Sequence, residues 1–188
     1  MALLSRAPLL CAAALAAALA VAPRPVWSQT LTQDEALALV FPGAETERIT
    51  AYLGDAELEQ ARSLAGTDVE VESTVVTYYV ARREGAALGV AYFDVHRVRT
   101  LPEVLMIVVG PDDRILRIET VSFREPPEYR PPGRWLRVFE SRGLDDRLSL
   151  RGEIPNMTGA TLTSGAVTRA ARRVLALHQV IDPLVSAR

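Results

Sequence analysis

The chain has 188 residues, a formal net charge of -2 at pH 7, two histidines and one cysteine. Its basic residues are all arginine, and no basic stripe with interleaved aromatic residues occurs, so nothing in the composition supports nucleic-acid binding. The single cysteine excludes an internal disulfide, and two distant histidines do not have the spacing of a metal site. We therefore predict neither a metal nor a nucleic acid as a partner.

Residues 1–28 have the pattern of a secretory signal peptide. Arg6 precedes an apolar run over residues 8–22, which has about the length of a signal h-region and is short for a spanning helix. Val26-Trp27-Ser28 is an acceptable cleavage site. We expect a periplasmic or other extracytoplasmic protein, attached to the inner membrane if this segment remains as an anchor. Residues 29–188 then suffice for one domain.

Two short helices are predicted after this segment. Thr32-Gln33-Asp34-Glu35 reads as a capping box that opens a helix through Val40. Asp55 is a candidate N-cap for a second helix, which extends to about Leu64 and is stopped by Gly66. Both segments carry apolar stripes, so we expect them to form a packing layer or lid and assign them no chemistry.

The apolar period then changes to two, which predicts strands. Four such segments follow one another, and Gly110-Pro111-Asp112-Asp113 is a strong turn between the last two. We predict an α+β fold, in which an antiparallel β meander follows the N-terminal helices and a C-terminal helix closes the chain. The four strands are predicted over residues 69–80, 87–98, 104–109 and 115–123.

A stiff segment with four prolines, residues 124–133, follows the strands. Trp135 begins a short helical segment and is expected to pack in the core. The closing helix is predicted over residues 165–178, with Ser164 as its N-cap. His178 then lies at the C-terminal end of the helix, where the helix dipole favours a cation.

The stretch Thr158-Gly159-Ala160-Thr161-Leu162-Thr163-Ser164 has the composition of an accessible hydroxyl-bearing turn before a helix. Gly159 can adopt positive φ, and Ala160 adds little bulk. Thr161 then carries a hydroxyl at the tip of the turn, close to the positive end of the helix dipole, which favours a phosphate there. The spacing alone is equally compatible with a plain loop and a capped helix.

As one string, this stretch resembles the flavinylation motif of the FMN-binding domain family, which includes small flavoprotein subunits of the Rnf and Na+-translocating NADH:quinone reductase complexes. In that family the second threonine of the core carries FMN through a phosphoester. The matching residue here is Thr161. The family usually has an acidic residue three positions before the first Ser/Thr, where this chain has Pro155.

The resemblance extends over residues 31–177. In the family, the last strand leads into a Glu-Thr-Pro-Gly loop that lies by the flavin, and this chain has Glu125-Pro126-Pro127-Glu128 there. The resemblance therefore makes Glu125, Pro127 and Tyr129 candidates to line the ring. Around the phosphate it implies Thr158, Gly159, Ala160, Leu162, Thr163 and Ser164, with Thr161 as the covalent attachment residue.

The resemblance implies an FMN-carrying electron carrier more than an independent enzyme, with no catalytic residues of its own. It would relay electrons between a membrane redox protein or complex and a redox partner, and it would need a flavin transferase of the ApbE type for maturation. Two alternatives remain open. One is a domain of the same fold that binds FMN non-covalently or not at all, and the other is a true reductase subunit.

Overall fold

An antiparallel five-stranded sheet is the centre of the structure, which is a computed structural model that describes residues 30–186. Helices lie on both sides of this sheet, so the predicted α+β class is confirmed. The elements in chain order are α1 (Gln33–Val40), β1 (Glu45–Tyr52), α2 (Asp55–Ala65), β2 (Val75–Arg83), β3 (Ala86–Arg97), β4 (Pro102–Val109), β5 (Ile115–Phe123), α3 (Gly133–Leu136), α4 (Thr161–Ile181) and α5 (Pro183–Ser186).

The strands are arranged in the order of the sequence, β1-β2-β3-β4-β5, as a meander. Four strands were predicted, and the first of the five was missed. Residues of β1 are mostly exposed and only Ile49 and Ala51 pack against the core. An edge strand with so little apolar content has no clear period-two pattern, which explains the omission.

The sheet has two buried faces. One face packs against α2 and α4 and holds the larger core, in which Tyr78, Leu105 and Ile107 are almost completely buried. The other face packs against α1 through a smaller cluster that contains Leu37 and Met106. The continuous apolar run of β4 is thus covered on both sides, as its sequence predicted.

Strand β2 begins later than predicted, at Val75 rather than Val69. The six residues before it belong to no helix or strand. Pairing between β2 and β3 covers only the part of both strands up to the Tyr78–Tyr92 pair. Residues 75–77 of β2 pair with β1 alone, and residues 93–97 of β3 pair with β4 alone. The two strands therefore separate into a fork.

The helix ends show one confirmed cap and two corrections. Thr32 and Glu35 form the predicted capping box of α1. The N-cap of α2 is Gly54 rather than Asp55, and Asp55 lies in the first turn. Helix α4 begins at Thr161 with Ala160 as its N-cap, four residues before the predicted start. Ser164 is therefore inside the helix and does not cap it.

The predicted signal peptide, residues 1–28, lies outside the described part of the chain. Within residues 30–186, no helix combines the length and the apolar character needed to cross a bilayer.

Candidate functional site

The motif stretch forms a tight turn that leads directly into α4. The amide of Ala160 donates a hydrogen bond of 3.0 Å to the carbonyl of Met157. Gly159 has φ of +79°, and no atom lies within 4 Å of the position that a Cβ would occupy. The turn therefore needs glycine for its backbone conformation and not for lack of space. Its outer side is open.

Two of the four hydroxyls in the motif are buried and engaged inside the protein. Thr163 donates a 2.9 Å hydrogen bond to the carbonyl of Tyr129. Ser164 donates to the carbonyl of Ala160 and accepts from the amide of Met157, at 3.2 and 2.9 Å. Their hydroxyls were predicted to face a phosphate. Instead they fasten the proline-rich segment and the preceding turn to the first turn of α4.

The hydroxyls of Thr158 and Thr161 remain, and both residues are exposed. Between residues 30 and 186, neither hydroxyl has a hydrogen-bond partner. Thr161 is the first residue of α4, where backbone N–H groups lack helical acceptors and the dipole is positive. Leu162 follows and is 56% exposed. Thr161 therefore presents an available nucleophilic oxygen beside a surface suited to an anion.

Glu125 clamps the turn between β3 and β4. One of its carboxylate oxygens accepts the amides of Arg99, Thr100 and Leu101, at 3.1, 2.7 and 2.8 Å. The bonds from Leu101 and Thr100 lower the pKa of Glu125 below its usual value, because they favour the charged carboxylate. Glu125 was predicted to line the flavin ring. In the structure its carboxylate holds the turn between β3 and β4.

Tyr129 joins the proline-rich segment to this turn and to α4. The guanidinium of Arg99 lies 5.4 Å from the centre of the Tyr129 ring, a cation–π distance. The ring packs against a small cluster of Val98, Phe123 and Ala166. Pro127 begins a 3-10 turn that ends at Tyr129, and its side chain is exposed.

The structure thus brings three predicted segments together: the motif, the proline-rich segment and the end of the sheet. These residues fit FMN in two ways. The open first turn of α4 offers an oxygen and N–H groups to a phosphate. Tyr129, Arg99 and the exposed Leu162 offer flat, cationic and apolar surfaces to an aromatic ring.

Arg99 and the turn it occupies were not identified from the sequence. Their place at the site depends on contacts with Glu125 and Tyr129, about 25 to 30 positions along the chain. No local pattern of residues indicates such a contact.

A cluster of charged side chains lies under the turn between β3 and β4. Arg173 of α4 donates two 2.8 Å hydrogen bonds to Asp94. His96 bonds to Asp94 at 2.8 Å and to Glu103 at 3.2 Å. The other carboxylate oxygen of Glu103 is buried and has no hydrogen-bond partner within residues 30–186. The cluster connects β3, β4 and α4 through groups of opposite charge.

The pKa values in this cluster follow from its contacts. Burial alone would raise the pKa of Asp94, but hydrogen bonds from His96 and Arg173 outweigh it and lower the pKa to about 2. Burial alone would lower the pKa of His96, but the bonds to Asp94 and Glu103 raise it above its usual value. Asp94 is therefore ionised at neutral pH, and the contacts of His96 favour its charged form.

The other histidine has a different environment from the one predicted. His178 is buried, and its ring forms hydrogen bonds with the Tyr92 hydroxyl at 2.9 Å and with the Asp113 carboxylate at 3.2 Å. Burial lowers its pKa, although Asp113 opposes the change. His178 does lie in the last turn of α4, but its place is explained by these buried hydrogen bonds, and burial disfavours the cation that the dipole interpretation assumes.

Trp135 lies in the core, as expected. Its ring packs edge-on against Phe139, and its indole N–H donates a 2.8 Å hydrogen bond to the carbonyl of Pro155. Pro155, which replaces the usual acidic residue, thus helps to fix the segment before the motif. Over the described residues, no group of three or more His, Cys, Asp or Glu side chains is placed to hold a metal ion.

Comparison with known proteins gives one family and one similar structure. Residues 102–176 match the model of a family described as the FMN-binding domain, a range that contains both the motif and the proline-rich segment. The fold is similar to the crystal structure of Shewanella oneidensis NqrC, with a TM-score of 0.56 and 15% identity over 84% of this chain and 91% of that chain. No curated protein sequence matches the chain significantly. The family match confirms the predicted resemblance and FMN as the cofactor.

Proposed function

We propose, on the premise that residues 102–176 match the FMN-binding domain family, that this chain is an electron-transfer flavoprotein with FMN joined by a phosphoester to Thr161. One observation carries the choice of residue. Thr161 is exposed at the first position of α4, whereas Thr163 and Ser164 are buried and donate their hydroxyls to backbone carbonyls.

The ester requires a simple exchange of bonds. The Thr161 oxygen forms a bond to the phosphorus of the flavin nucleotide and loses its proton, and a leaving group departs from the same phosphorus. Since a phosphate monoester has no good leaving group, the donor has to be an activated flavin nucleotide with a diphosphate linkage, and the other nucleotide leaves. A flavin transferase of the ApbE type, implied by the resemblance, would supply this reaction.

The chain's own residues position the cofactor. The first N–H groups of α4 and its dipole stabilise the phosphate, and Gly159 keeps the approach open. Arg99 and Tyr129 form a stacked pair at the side of the first turn, which suits one face of an isoalloxazine ring. When bound, FMN supplies one- and two-electron redox chemistry, and the protein supplies attachment and surroundings.

The location and partners of the protein belong to the same proposal. The apolar segment over residues 8–22 supports export across the cytoplasmic membrane. A covalent tether retains a cofactor that would otherwise diffuse away outside the cytoplasm. We propose that the protein receives electrons from a membrane redox protein or complex and passes them to a second redox protein, without turning over a small substrate.

A denaturing gel tests the attachment. The full chain is expressed in the envelope with the transferase, and flavin fluorescence is recorded after denaturation. We expect a fluorescent band for the wild type, Thr158→Ala and Thr161→Ser, and none for Thr161→Ala. Thr158 is the control because it is the other exposed threonine of the motif, and its hydroxyl has no hydrogen-bond partner within residues 30–186. A fluorescent Thr161→Ala band would overturn the assignment.

A second candidate is a non-covalent FMN protein of the same fold. Pro155 favours it, because the position that is usually acidic in the family carries no charge and its carbonyl bonds to Trp135. In that case flavin would co-purify with the native chain and separate on denaturation, for wild type and Thr161→Ala alike. Bleaching of the flavin absorbance by NADH-energised membrane vesicles would then test electron transfer for either form.

A further inference from the structure

The fork between β2 and β3 leaves two strand edges without a neighbour. If the pairing continued beyond Tyr78–Tyr92, Val76 would face Asp94 and Val75 would face Val95, but the strands are apart there. Each strand is paired on its other side, with β1 or with β4. In the described part of the chain no strand occupies the gap. Unpaired strand edges present N–H and C=O groups that can bind a further strand.

An open cavity of about 750 Å³ fills this fork. Residues 75–77 of β2 form one wall, and residues 92–97 of β3 form the opposite wall. Ala166, Val174 and Leu177 of α4 contribute an apolar base. Two valines at the mouth are unusually exposed, with 47% of Val75 and 68% of Val95 accessible to solvent.

Arg173 connects the two sides of the fork. Its guanidinium binds Asp94 on β3 and also donates a 3.2 Å hydrogen bond to the carbonyl of Glu70. Residues 68–73, which contain Glu70, run along the cavity as a third wall. The Arg173 side chain thus links the segment before β2 to α4 and neutralises the charge of Asp94. If β2 and β3 paired along their whole length, Asp94 would be buried opposite Val76.

The rim of the cavity carries unequal charge. Asp68, Glu70 and Glu72 lie on the connecting segment, and their side chains have no hydrogen-bond or ion-pair partner between residues 30 and 186. Arg97 and Arg169 lie on the other side of the opening. A ligand that lies along the cavity therefore meets three uncompensated carboxylates on one side, which favours a cationic group there.

We propose that the fork is a docking groove for an extended segment of a partner protein, which adds a strand between β2 and β3. The open edges supply main-chain hydrogen bonds, and the exposed valines and the apolar base receive alternate side chains. The segment carries β-branched residues and a lysine or arginine that faces Asp68, Glu70 and Glu72. This inference does not depend on flavin attachment.

The test uses a random twelve-residue peptide library displayed on phage and selected against the full chain. We expect enriched peptides with alternating β-branched residues and at least one basic residue. Bound to the isotopically labelled chain, such a peptide should shift the amide resonances of residues 75–77 and 93–97. These amides should also exchange more slowly with solvent in the complex.

Charge and shape variants then locate the groove. Glu70→Arg with Glu72→Arg should weaken binding about tenfold, and Val95→Asp should weaken it similarly. The control is Glu45→Arg with Glu47→Arg, which changes the net charge equally on exposed positions of β1 outside the cavity. All three variants change exposed side chains, so the fold should persist. A selection without enriched peptides, or binding that is insensitive to the first two variants, overturns the proposal.

Discussion

The guanidinium of Arg173 on α4 holds the carboxylate of Asp94 on β3 by two hydrogen bonds of 2.8 Å. The two residues are 79 positions apart, and both are largely buried. Their contact fastens the closing helix to the sheet at the point where β2 and β3 separate.

Removing one partner of this pair should lower the free energy of unfolding much more than removing both. We expect Arg173→Met to lower the free energy of unfolding by about 3 kcal/mol, because Asp94 is left buried without its main cation. The double variant Asp94→Leu/Arg173→Met should recover most of this loss. Urea unfolding of the three proteins measures the difference. A loss below about 1 kcal/mol in Arg173→Met would place the pair among weak surface ion pairs.

The two histidines should titrate on opposite sides of the ordinary histidine pKa of about 6.5. Bonds to Asp94 and Glu103 raise the pKa of His96, and burial lowers that of His178. Since the chain has only two histidines, ring resonances followed by NMR between pH 5 and 9 resolve both. His96→Gln removes the higher titration and so assigns it. Two overlapping titrations near 6.5 would contradict the structure.

The His96 interaction also predicts the sign of a stability change. Its folded pKa is raised, so its contribution is complete below the unfolded pKa of about 6.5 and is lost as pH rises through the folded value. Wild-type stability should therefore fall over this range relative to His96→Gln. For Asp94, whose folded pKa is about 2, stability should be lost as pH falls from about 4 towards 2.

Glu125 should control the order of the turn between β3 and β4. Its carboxylate accepts the amides of Arg99, Thr100 and Leu101, so Glu125→Ala leaves three donors to water. We expect faster hydrogen exchange at these three amides, while exchange in β4 is unchanged. Glu125→Gln keeps an acceptor oxygen, so its exchange rates at these amides should lie between those of the wild type and of Glu125→Ala. Equal exchange in all three proteins would show that the turn does not depend on Glu125.

Gly159 should be intolerant of any side chain, despite the open space around it. At φ of +79° an alanine is strained, which costs about 1 to 2 kcal/mol. Gly133 is the matched control, because it also has no atom within 4 Å of its Cβ position and does not have positive φ. Gly133→Ala should be neutral or slightly stabilising in unfolding experiments. Equal melting temperatures for the two variants would refute the strain argument.

The sequence indicated the architecture where patterns are local. The capping box at Thr32, the alternation of β3 and β5 and the turn at Gly110 all lie within single segments, and each was predicted correctly. β1 was missed because an exposed edge strand has little apolar alternation. The start of α4 was misplaced because the Ser164 hydroxyl bonds backwards to Ala160 rather than capping a later helix.

In the candidate site, too, the local features could be predicted from the sequence and the contacts between distant segments could not. The motif turn and its open Gly159 follow from seven consecutive residues. The clamp of Glu125 on the β3–β4 turn and the pair of Asp94 with Arg173 join distant segments, and no spacing rule indicates them. The fork is likewise invisible in the sequence, because both of its strands show ordinary strand patterns on either side of the point where they part.

The position of α4 after all five strands has a consequence for biosynthesis. The meander is built from neighbouring hairpins that can pair as they are synthesised, but the face that holds the larger core is closed mainly by α4, which follows 38 residues after the last strand. A nascent chain therefore holds an apolar face that only α2 covers until α4 has been made. Thr161 acquires its helical surroundings only when α4 forms, so any enzyme that recognises them acts after the five strands have been synthesised.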